Sequence, residues 1–500
     1  MTRLRINDTV LRISLMIAVA SCGFALYWAW HWPLVGDAAL MRYVVLLLHA
    51  GRAPYRQIID INLPGSYLSE ALAMRVFGVG AIGLRLYDGF LCLLVVVCSA
   101  ALGEPGWRGR SCGLLGGLLF VLLHLRDGVV EGGERDLLMA ALVVLALTTL
   151  LRVPAKWRAA GFLVFELLIG ATLTIKPTLL PLAAMPLLLH RLRPQRLKLR
   201  AGMMAASVGA LLLPGVLVLL WLHQYAAVEA FIAVLRSVDA AHSRLAHQTL
   251  GALLGHAFAP VPAVFGLALL LAFGLRVHDV ETKLLLFATA CGLLSFVMQG
   301  KGFPYQRYPF LVLGLILVAR LIAQGLAGEA WVAVVACVLI VLMGAALPPM
   351  YARTIRSYTR TAPFENALGR DLVSRKVQQG SVQCLDTVGG CINTLLDLHL
   401  VASTGYLYDC YAYQGSADEQ KRYRGALLDA MESARPQTIV LTNQFCLEQH
   451  YSFDRVDQWP ELKDFLLRNY RVDGEWQTDR QVRWWHQPES PSAYRIFTRR

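Results

Sequence analysis

The chain has 500 residues, of which 56% are hydrophobic and only 16% are charged, and its mean hydropathy is +0.50. Soluble domains carry about a quarter charged residues, whereas the apolar residues here come in blocks close to the length that crosses about 30 Å of hydrocarbon. This composition excludes a disordered chain, a coiled coil, a collagen, a disulfide miniprotein and an ordinary cytosolic enzyme. It predicts a polytopic α-helical membrane protein.

The net charge of +13 belongs almost entirely to the first 349 residues, because residues 350–500 hold 19 basic and 18 acidic side chains. Hydropathy changes at the same point, since no long apolar block follows Leu347. We therefore predict a multi-span membrane module at 1–349 and one soluble domain at 350–500. Basic loops at one membrane face account for the charge, which gives no indication of nucleic acid binding.

About eleven apolar blocks are candidates for transmembrane helices. The first block could be mistaken for a cleavable signal peptide, but it lacks a small-residue cleavage site and is followed by His31, Trp32 and Pro33. We therefore expect a retained first helix. The predicted spans lie near residues 11–30, 84–103, 111–125, 137–152, 159–174, 177–190, 203–222, 250–273, 284–299, 308–324 and 330–347.

Short basic loops predict the orientation of these spans. The clearest loop is RLRPQRLKLR at 191–200, which holds five basic residues and no acidic one. Such loops stay on the cytoplasmic side, so the N-terminus is predicted to be cytoplasmic. An odd number of spans then places residues 350–500 outside an inner, or plasma, membrane.

The ten cysteines divide in agreement with this topology. Six lie in or beside apolar blocks, where a thiol behaves as a small hydrophobic group. Four lie in the predicted exported domain, which fits one or two disulfides with three possible full pairings. Zinc is the alternative, but no CxxC spacing occurs. The four cysteines are Cys384, Cys391, Cys410 and Cys446.

The first outer loop, residues 31–83, is too long and too polar for a simple turn. Residues 38–49 and 66–77 have helical apolar spacing but are too short to span a bilayer, so we expect two helices that lie at the membrane interface. Asp37 and Asp60 would then stand near the starts of these helices, beside the membrane surface.

Three further outer segments are rich in charged and aromatic residues. They read HLRDGVVEGGERD (124–136), TIKPT (174–178) and QGKGFPYQRYP (299–309). If the spans form a bundle, these segments converge with the first outer loop on one vestibule. Their candidate site residues are Arg126, Asp127, Glu134, Arg135, Asp136, Lys176, Lys301, Tyr305 and Arg307.

Each feature taken alone has an ordinary interpretation. The first-loop aspartate could cap a helix, the charged loop could be a solvated turn, Lys176 could extend from a helix end to the interface, and the aromatic segment could anchor the membrane edge. Their common face favours a site. Glu166, in the middle of the fifth span, must face the bundle interior, where we expect a structural role.

The segments GDAALMRY, APYRQIIDINLPGSYL, GERDLLMA, TIKPT and KGFPYQRYP resemble the loop-to-helix junctions of the GT-C glycosyltransferases. The similarity is to the branch of the protein O-mannosyltransferases, the lipid A aminoarabinose transferase and the bacterial Rgt-type enzymes. It covers the topology of residues 1–349. It implies an enzyme that moves a sugar from a polyprenyl-phosphate donor to a lipid, glycan or protein acceptor on the outer membrane face.

The resemblance also implies roles for individual residues. Asp37 corresponds to the catalytic base, and Asp60 falls near a second acidic residue that helps hold the acceptor or a metal, so Mg or Mn is a possible cofactor. Several relatives have a lysine beside that second acid, whereas Ile61, Asn62 and Leu63 follow Asp60 here. The donor phosphate contact is then expected from Lys176, Lys301 and Arg307.

The proposed chemistry needs these residue types in any case. A carboxylate takes the acceptor proton, cations stabilise the departing phosphate, and an apolar groove holds the lipid. One alternative is a transporter or flippase of lipid-linked saccharide, which predicts internal repeats and midplane charges; the sequence shows no repeat. Another is a non-catalytic assembly protein, in which the first-loop carboxylates would be dispensable.

The soluble domain is predicted to be a small α/β structure. Residues 381–386 and 437–442 read as buried strands, and two more strand candidates lie near 480–485 and 494–498. Ser416 and Glu419 form a capping box for a helix over 416–434. The tyrosine-rich segment at 404–415 fits packing better than sugar stacking. Acceptor binding or structural support is the expected role of the domain.

Overall fold

The computed structural model is dominated by helices, with one small β-sheet near the C-terminus. It describes residues 2–193, 201–244, 246–276, 279–328, 330–346, 362–387, 389–444, 452–478 and 492–500. The helices of the first 346 residues are α1 Thr2–Ala29, α2 Gly36–His49, α3 Pro64–Phe77, α4 Ala81–Leu102, α5 Trp107–Asp127, α6 Arg135–Arg152, α7 Arg158–Ile175, α8 Met185–Leu192, α9 Ala201–Gln224, α10 Val228–Arg244, α11 Leu250–Phe258, α12 Pro262–Leu275, α13 Val280–Gln299, α14 Tyr308–Ala327 and α15 Trp331–Ala345.

Within the described residues, six helical segments are long and apolar enough to cross a membrane. A seventh arises if α11 and α12, which meet at an angle of 84°, count as one broken span, and α15 is a shorter apolar helix. The chain is therefore an integral membrane protein, while the count of eleven spans stays a prediction. The six segments are Asn7–Ala29, Ala81–Leu102, Ala155–Ile175, Ala201–Gln224, Val280–Gln299 and Pro304–Ala327.

The apolar block predicted as a span at 177–190 is not one continuous α-helix. It consists of a 3₁₀-helix, Pro177–Ala184, followed by the short helix α8. Proline has no backbone N–H and clashes with the preceding turn, so Pro181 and Pro186 interrupt the α-helical hydrogen bonds.

Helix α14 lies at the centre of the bundle. In its apolar stretch 83% of the residues are buried, against 6% in the peripheral helix α9. It packs on α5 and α13 at close range. A Cβ atom at Gly116 would lie 2.9 Å from the Leu315 carbonyl oxygen, and one at Gly292 would lie 2.8 Å from the Phe310 Cα. Glycine is therefore required at both helix crossings.

Glu166 and Arg320 are two of the several charged side chains that are buried in the bundle. Glu166 of α7 is only 3% exposed, which confirms that it faces the interior. Arg320 of α14 contacts Glu104 at 2.8 Å, Asp279 at 2.9 Å and Glu281 at 3.1 Å. The cluster around Arg320 joins the end of α4 to the start of α13, at the end of the bundle opposite to the first outer loop.

The first outer loop contains the two expected short helices, α2 and α3. Arg42 of α2 is fully buried and donates a 2.8 Å hydrogen bond to Glu70 of α3. It also donates to the carbonyl oxygens of Gly78 at 3.1 Å and Gly80 at 2.9 Å. These bonds fix α2 against α3 and the turn into α4.

Residues 362–500 contain the sheet, whose strand order is β1-β2-β4-β3. Strands β1 and β2 are parallel, and the β2–β4 and β4–β3 pairs are antiparallel. The strands are β1 Val382–Leu385, β2 Thr438–Thr442, β3 Tyr470–Gln477 and β4 Ala493–Arg499. The helices are α16 at 362–374, α17 Cys391–Asp397, α18 Ala417–Ala434 and α19 Pro460–Asn469.

Three of the predicted strands and the capping box are confirmed. Strands β1, β2 and β4 overlap the predictions, and Ser416 and Glu419 make both hydrogen bonds of the capping box. Strand β3 was not predicted, because it is an edge strand whose side chains are mostly exposed and polar. The strand candidate near 480–485 lies outside the described residues.

One disulfide joins Cys384 of β1 to Cys391 of α17, with their Cα atoms 6.0 Å apart. Cys410 is also disulfide-bonded, whereas Cys446 lies outside the described residues. The six cysteines of the membrane region are free and buried, as expected. The Cys384–Cys391 bond matters for the fold because α17 packs directly on α2, the helix that carries Asp37.

Candidate functional site

Asp37 is the second residue of α2, and its side chain is 36% exposed. The helix cap is Val35, which makes no side-chain capping bond, so Asp37 does not have the capping role that the sequence left open. Instead its Oδ2 accepts a 2.8 Å hydrogen bond from Arg135 Nη2. The preceding Gly36 has φ +63°, a conformation that favours glycine.

Arg135 is the first residue of α6 and the cation at the centre of the site. Its side chain is 10% exposed and bridges Asp37 and the side-chain oxygen of Asn62. The Glu134 carboxylate lies 3.6 Å from the same guanidinium. Burial, followed by the nearby Asp37 carboxylate, raises the pKa of Glu134 well above its usual range.

The glycines before Arg135 let its loop approach α4 closely. A Cβ atom at Gly132 would lie 2.4 Å from Arg85 Nη1, and one at Gly133, where φ is +76°, would lie 2.4 Å from Leu84 Cδ1. The Gly133 N–H donates a 2.8 Å hydrogen bond to Asp88 Oδ1. The GGERD sequence therefore places Arg135 through backbone contacts with α4.

Asp60 is 2% exposed and is surrounded by neutral donors. Tyr67 donates to its Oδ2 at 2.6 Å, and Tyr408 donates to its Oδ1 at 2.9 Å. The Asn62 amide lies 3.0 Å from both carboxylate oxygens. The Asn62 side chain thus joins Asp60 to Arg135.

Lys176 completes a second acid–cation pair. Its ammonium donates to the buried Asp136 carboxylate and, at 2.9 Å, to Gln299 Oε1. It also lies 5.2 Å from the centre of the Tyr305 ring. The side chain is 21% exposed. The structure thereby brings together the GERD, TIKPT and KGFPYQR segments, while their role as one outer vestibule stays a prediction.

Arg307 is held by protein groups inside the bundle. Its Nη2 lies 2.9 Å from both oxygens of Asp127, and the two side chains are only 7% and 6% exposed. It also donates to the His256 carbonyl at 2.9 Å. Lys301 is 6% exposed, and Arg126 is half-buried. A donor phosphate role for Lys301 and Arg307 stays a prediction.

Several residues of the site were not identified from the sequence. Tyr67 is one, and Tyr408 was recognised only as part of a tyrosine-rich segment. Within the helices, His124 is hydrogen-bonded to Asp88 and to the Tyr308 hydroxyl, at 3.0 Å each. No sequence signal separates such a histidine from one that only packs in the core.

A metal ion has one candidate position within the described residues. The ligand atoms of Asp88, Cys92 and His124 lie within 4.8 Å of one another, and all three residues are buried. Both ring nitrogens of His124 already have hydrogen-bond partners there. Asp37 and Asp60, the predicted Mg or Mn ligands, form no comparable group among the described residues, and the Asp60 oxygens are occupied by three donors.

Comparison with known proteins identifies the architecture. No family model and no curated protein sequence matches the chain. Its structure is similar to that of ArnT from Cupriavidus metallidurans bound to undecaprenyl phosphate, with a TM-score of 0.60, 12% identity and coverage of 97% of both chains. The chain has the GT-C fold.

The GT-C similarity extends over nearly the whole chain. ArnT from the same organism in the apo state gives a TM-score of 0.56 and 11% identity over 96% of this chain and 97% of that one. The oligosaccharyltransferase AglB from Archaeoglobus fulgidus, in complex with an inhibitory peptide and a dolichol-phosphate, gives 0.46 and 11% over 87% and 69%. The ArnT comparisons thus include the C-terminal region as well as the membrane helices.

Proposed function

We propose that this protein is a glycosyltransferase that moves a sugar from a polyprenyl-phosphate donor to a lipid, glycan or protein acceptor. One observation carries the proposal: Asp37, paired with Arg135 and partly exposed, lies at one end of a bundle that has the fold of an ArnT bound to undecaprenyl phosphate. The site is expected to face outward, on the outer side of the inner membrane, beside an exported domain at 350–500.

Asp37 is the proposed general base. Its carboxylate takes the proton of the acceptor hydroxyl while that oxygen forms a bond to the anomeric carbon and the bond from this carbon to the phosphate oxygen breaks. The electron pair of the broken bond leaves with the lipid phosphate. Arg135 keeps Asp37 in place through its 2.8 Å hydrogen bond and leaves the second carboxylate oxygen, Oδ1, for the acceptor.

Lys176 is the proposed phosphate ligand. It is partly exposed, whereas Arg307 is buried against Asp127. A cation beside the departing phosphate stabilises the charge that develops there. Asp136 and Gln299 fix the ammonium in position. A divalent cation remains a second possible source of this stabilisation, and removal of metal with EDTA in the assay below tests for it.

A transfer assay in proteoliposomes tests the function. The purified protein is supplied with a panel of radiolabelled polyprenyl-phosphate sugars and with lipid, glycan and peptide acceptors. We expect a new glycosidic product from at least one pair. A flippase would instead move the labelled lipid between leaflets without forming a product, and that result would contradict the proposal.

The Asp37→Asn variant tests the base assignment in the same assay. Asparagine keeps the size of the side chain and can still accept a hydrogen bond from Arg135, but it cannot take a proton. Loss of a general base costs about 10²- to 10⁴-fold in rate, so turnover should nearly vanish while donor binding persists. Asp473→Asn, on the exposed part of β3, is the matched control. Full activity of Asp37→Asn would remove the base from the mechanism.

A further inference from the structure

The C-terminal region rests directly on the first outer loop. The Tyr43 hydroxyl donates to the Leu400 carbonyl at 3.0 Å and accepts the Ala402 N–H at 2.8 Å. Further along, the Ile59 N–H donates to the Gly405 carbonyl at 2.8 Å. A Cβ atom at Gly405 would lie 2.1 Å from the backbone of the first loop. Only glycine allows this approach, which brings the next residues to the site.

This contact places the Tyr408 side chain beside Asp60 of the first outer loop. Its hydroxyl donates to Asp60 Oδ1 at 2.9 Å, and its own carbonyl accepts a 2.5 Å hydrogen bond from Tyr423 of α18. Tyr408 is therefore anchored in the C-terminal region while its hydroxyl reaches the membrane module. In the described part of the structure the donors to the Asp60 oxygens are all neutral: the hydroxyls of Tyr67 and Tyr408 and the Asn62 amide.

The hydrogen bonds continue from Asp60 to Asp37. The Asn62 amide nitrogen donates to Asp60 at 3.0 Å, so the Asn62 oxygen is directed at Arg135, which donates to it. Arg135 then donates to Asp37 Oδ2 at 2.8 Å. We infer that Tyr408 is a positioning residue: through Asp60, Asn62 and Arg135, it fixes the orientation of the Asp37 carboxylate. This inference rests on the proposed function.

The order of the bonds explains why one hydroxyl matters. Asn62 can present its oxygen to Arg135 only if its nitrogen is held by Asp60. The Asp60 carboxylate holds that nitrogen in one orientation only while Tyr67 and Tyr408 donate to its two oxygens. The C-terminal region therefore contributes to the site without contacting the reacting atoms. Docking of the C-terminal region and the orientation of the Asp37 carboxylate are therefore coupled through Tyr408.

The kinetic test uses Tyr408→Phe, Asp60→Ala and the double variant in the full chain. We expect Tyr408→Phe to lower kcat about tenfold, as for a weakened hydrogen bond to a charged group, with the donor KM unchanged within about twofold. The double variant should match Asp60→Ala alone, because without the carboxylate the hydroxyl has no acceptor to position. Tyr406→Phe, whose hydroxyl makes no hydrogen bond among the described residues, is the matched control.

Hydrogen exchange of the same proteins in nanodiscs separates this inference from the proposed function. Tyr408→Phe should speed exchange of backbone amides at 57–63 and also at 133–137, across the chain of hydrogen bonds. Wild-type kinetics, multiplied effects in the double variant, or faster exchange only at 400–410 would overturn the inference. If the wild-type protein transfers no sugar, the proposed function fails, and the exchange data still test the role of Tyr408.

Discussion

At the scale of single residues, the two cations Lys176 and Arg307 have different surroundings although the sequence placed them in one group. Lys176 keeps part of its surface exposed beside Asp136, whereas Arg307 is nearly fully enclosed with Asp127. A buried ion pair is costly to break, because the remaining charge loses its partner. We therefore expect Arg307 to act chiefly in the fold and Lys176 in donor binding.

The Lys176→Gln variant tests whether Lys176 binds the donor. The glutamine amide can still donate to Asp136, but it carries no charge for the phosphate. A charge-assisted hydrogen bond contributes about 1.5–3 kcal/mol, so the donor KM should rise, or kcat fall, by about 10- to 150-fold. Lys156→Gln, an exposed lysine at the opposite end of the bundle, should be unchanged. Wild-type kinetics of Lys176→Gln would exclude Lys176 from the donor site.

The Arg307→Ala variant tests whether Arg307 acts chiefly in the fold. It leaves the Asp127 carboxylate buried without its partner, and we expect a loss of about 3–5 kcal/mol in the free energy of unfolding, seen as a lower Tm in detergent. The double variant Arg307→Met with Asp127→Leu removes both charges and should recover most of that stability. If the double variant folds but its donor KM rises tenfold or more, Arg307 binds the phosphate after all.

At the scale of elements, α16, α17 and α2 meet at a polar junction. Asn393 of α17 donates to Glu365 of α16 at 2.7 Å and to the Leu34 carbonyl, just before α2, at 3.0 Å. Burial raises the pKa of Glu365 to about 8. The junction therefore joins α16 and α17 to the segment that leads into α2, the helix that carries Asp37.

The pH dependence of Glu365→Gln tests this junction. Since the folded state holds the Glu365 proton more tightly than the unfolded state, stability falls as pH rises from about 4.5 to about 8 and is constant above that range. Glutamine stays neutral and keeps the acceptor for Asn393. We expect equal Tm values below about pH 4 and a higher Tm for the variant at pH 9. Glu432→Gln, at an exposed position, controls for general effects of pH. Parallel curves would contradict this.

At the scale of the whole molecule, one cluster of charged residues lies at each end of the bundle. One end has Arg320 with its three acidic partners, and the other has the site. The basic run at 191–200 predicts that the site end faces outward. A periplasmically active reporter should therefore be active when fused after Arg360 and inactive after Arg200, two junctions outside the described residues. The opposite pattern would place the site in the cytoplasm.

The extent to which the sequence predicted this protein differs between helices and contacts. Hydropathy predicted the helices, because a bilayer demands long apolar segments whatever their neighbours are. Pro64 and the capping box at Ser416 are signals that depend only on neighbouring residues, and the helices that they predicted, α3 and α18, are both present. The convergence of Asp37, Arg135 and Lys176 on one face was predictable from the alternation of spans and loops.

The partners of each charged side chain were decided by the tertiary structure alone. Nothing local in the sequence distinguishes Arg307, which is buried against Asp127, from Lys176, which stays partly exposed. Tyr408 is 348 residues from Asp60 along the chain and still donates to it. Such bonds depend on the packing of separate elements, which no short-range pattern encodes, and in this protein they hold the proposed base in place.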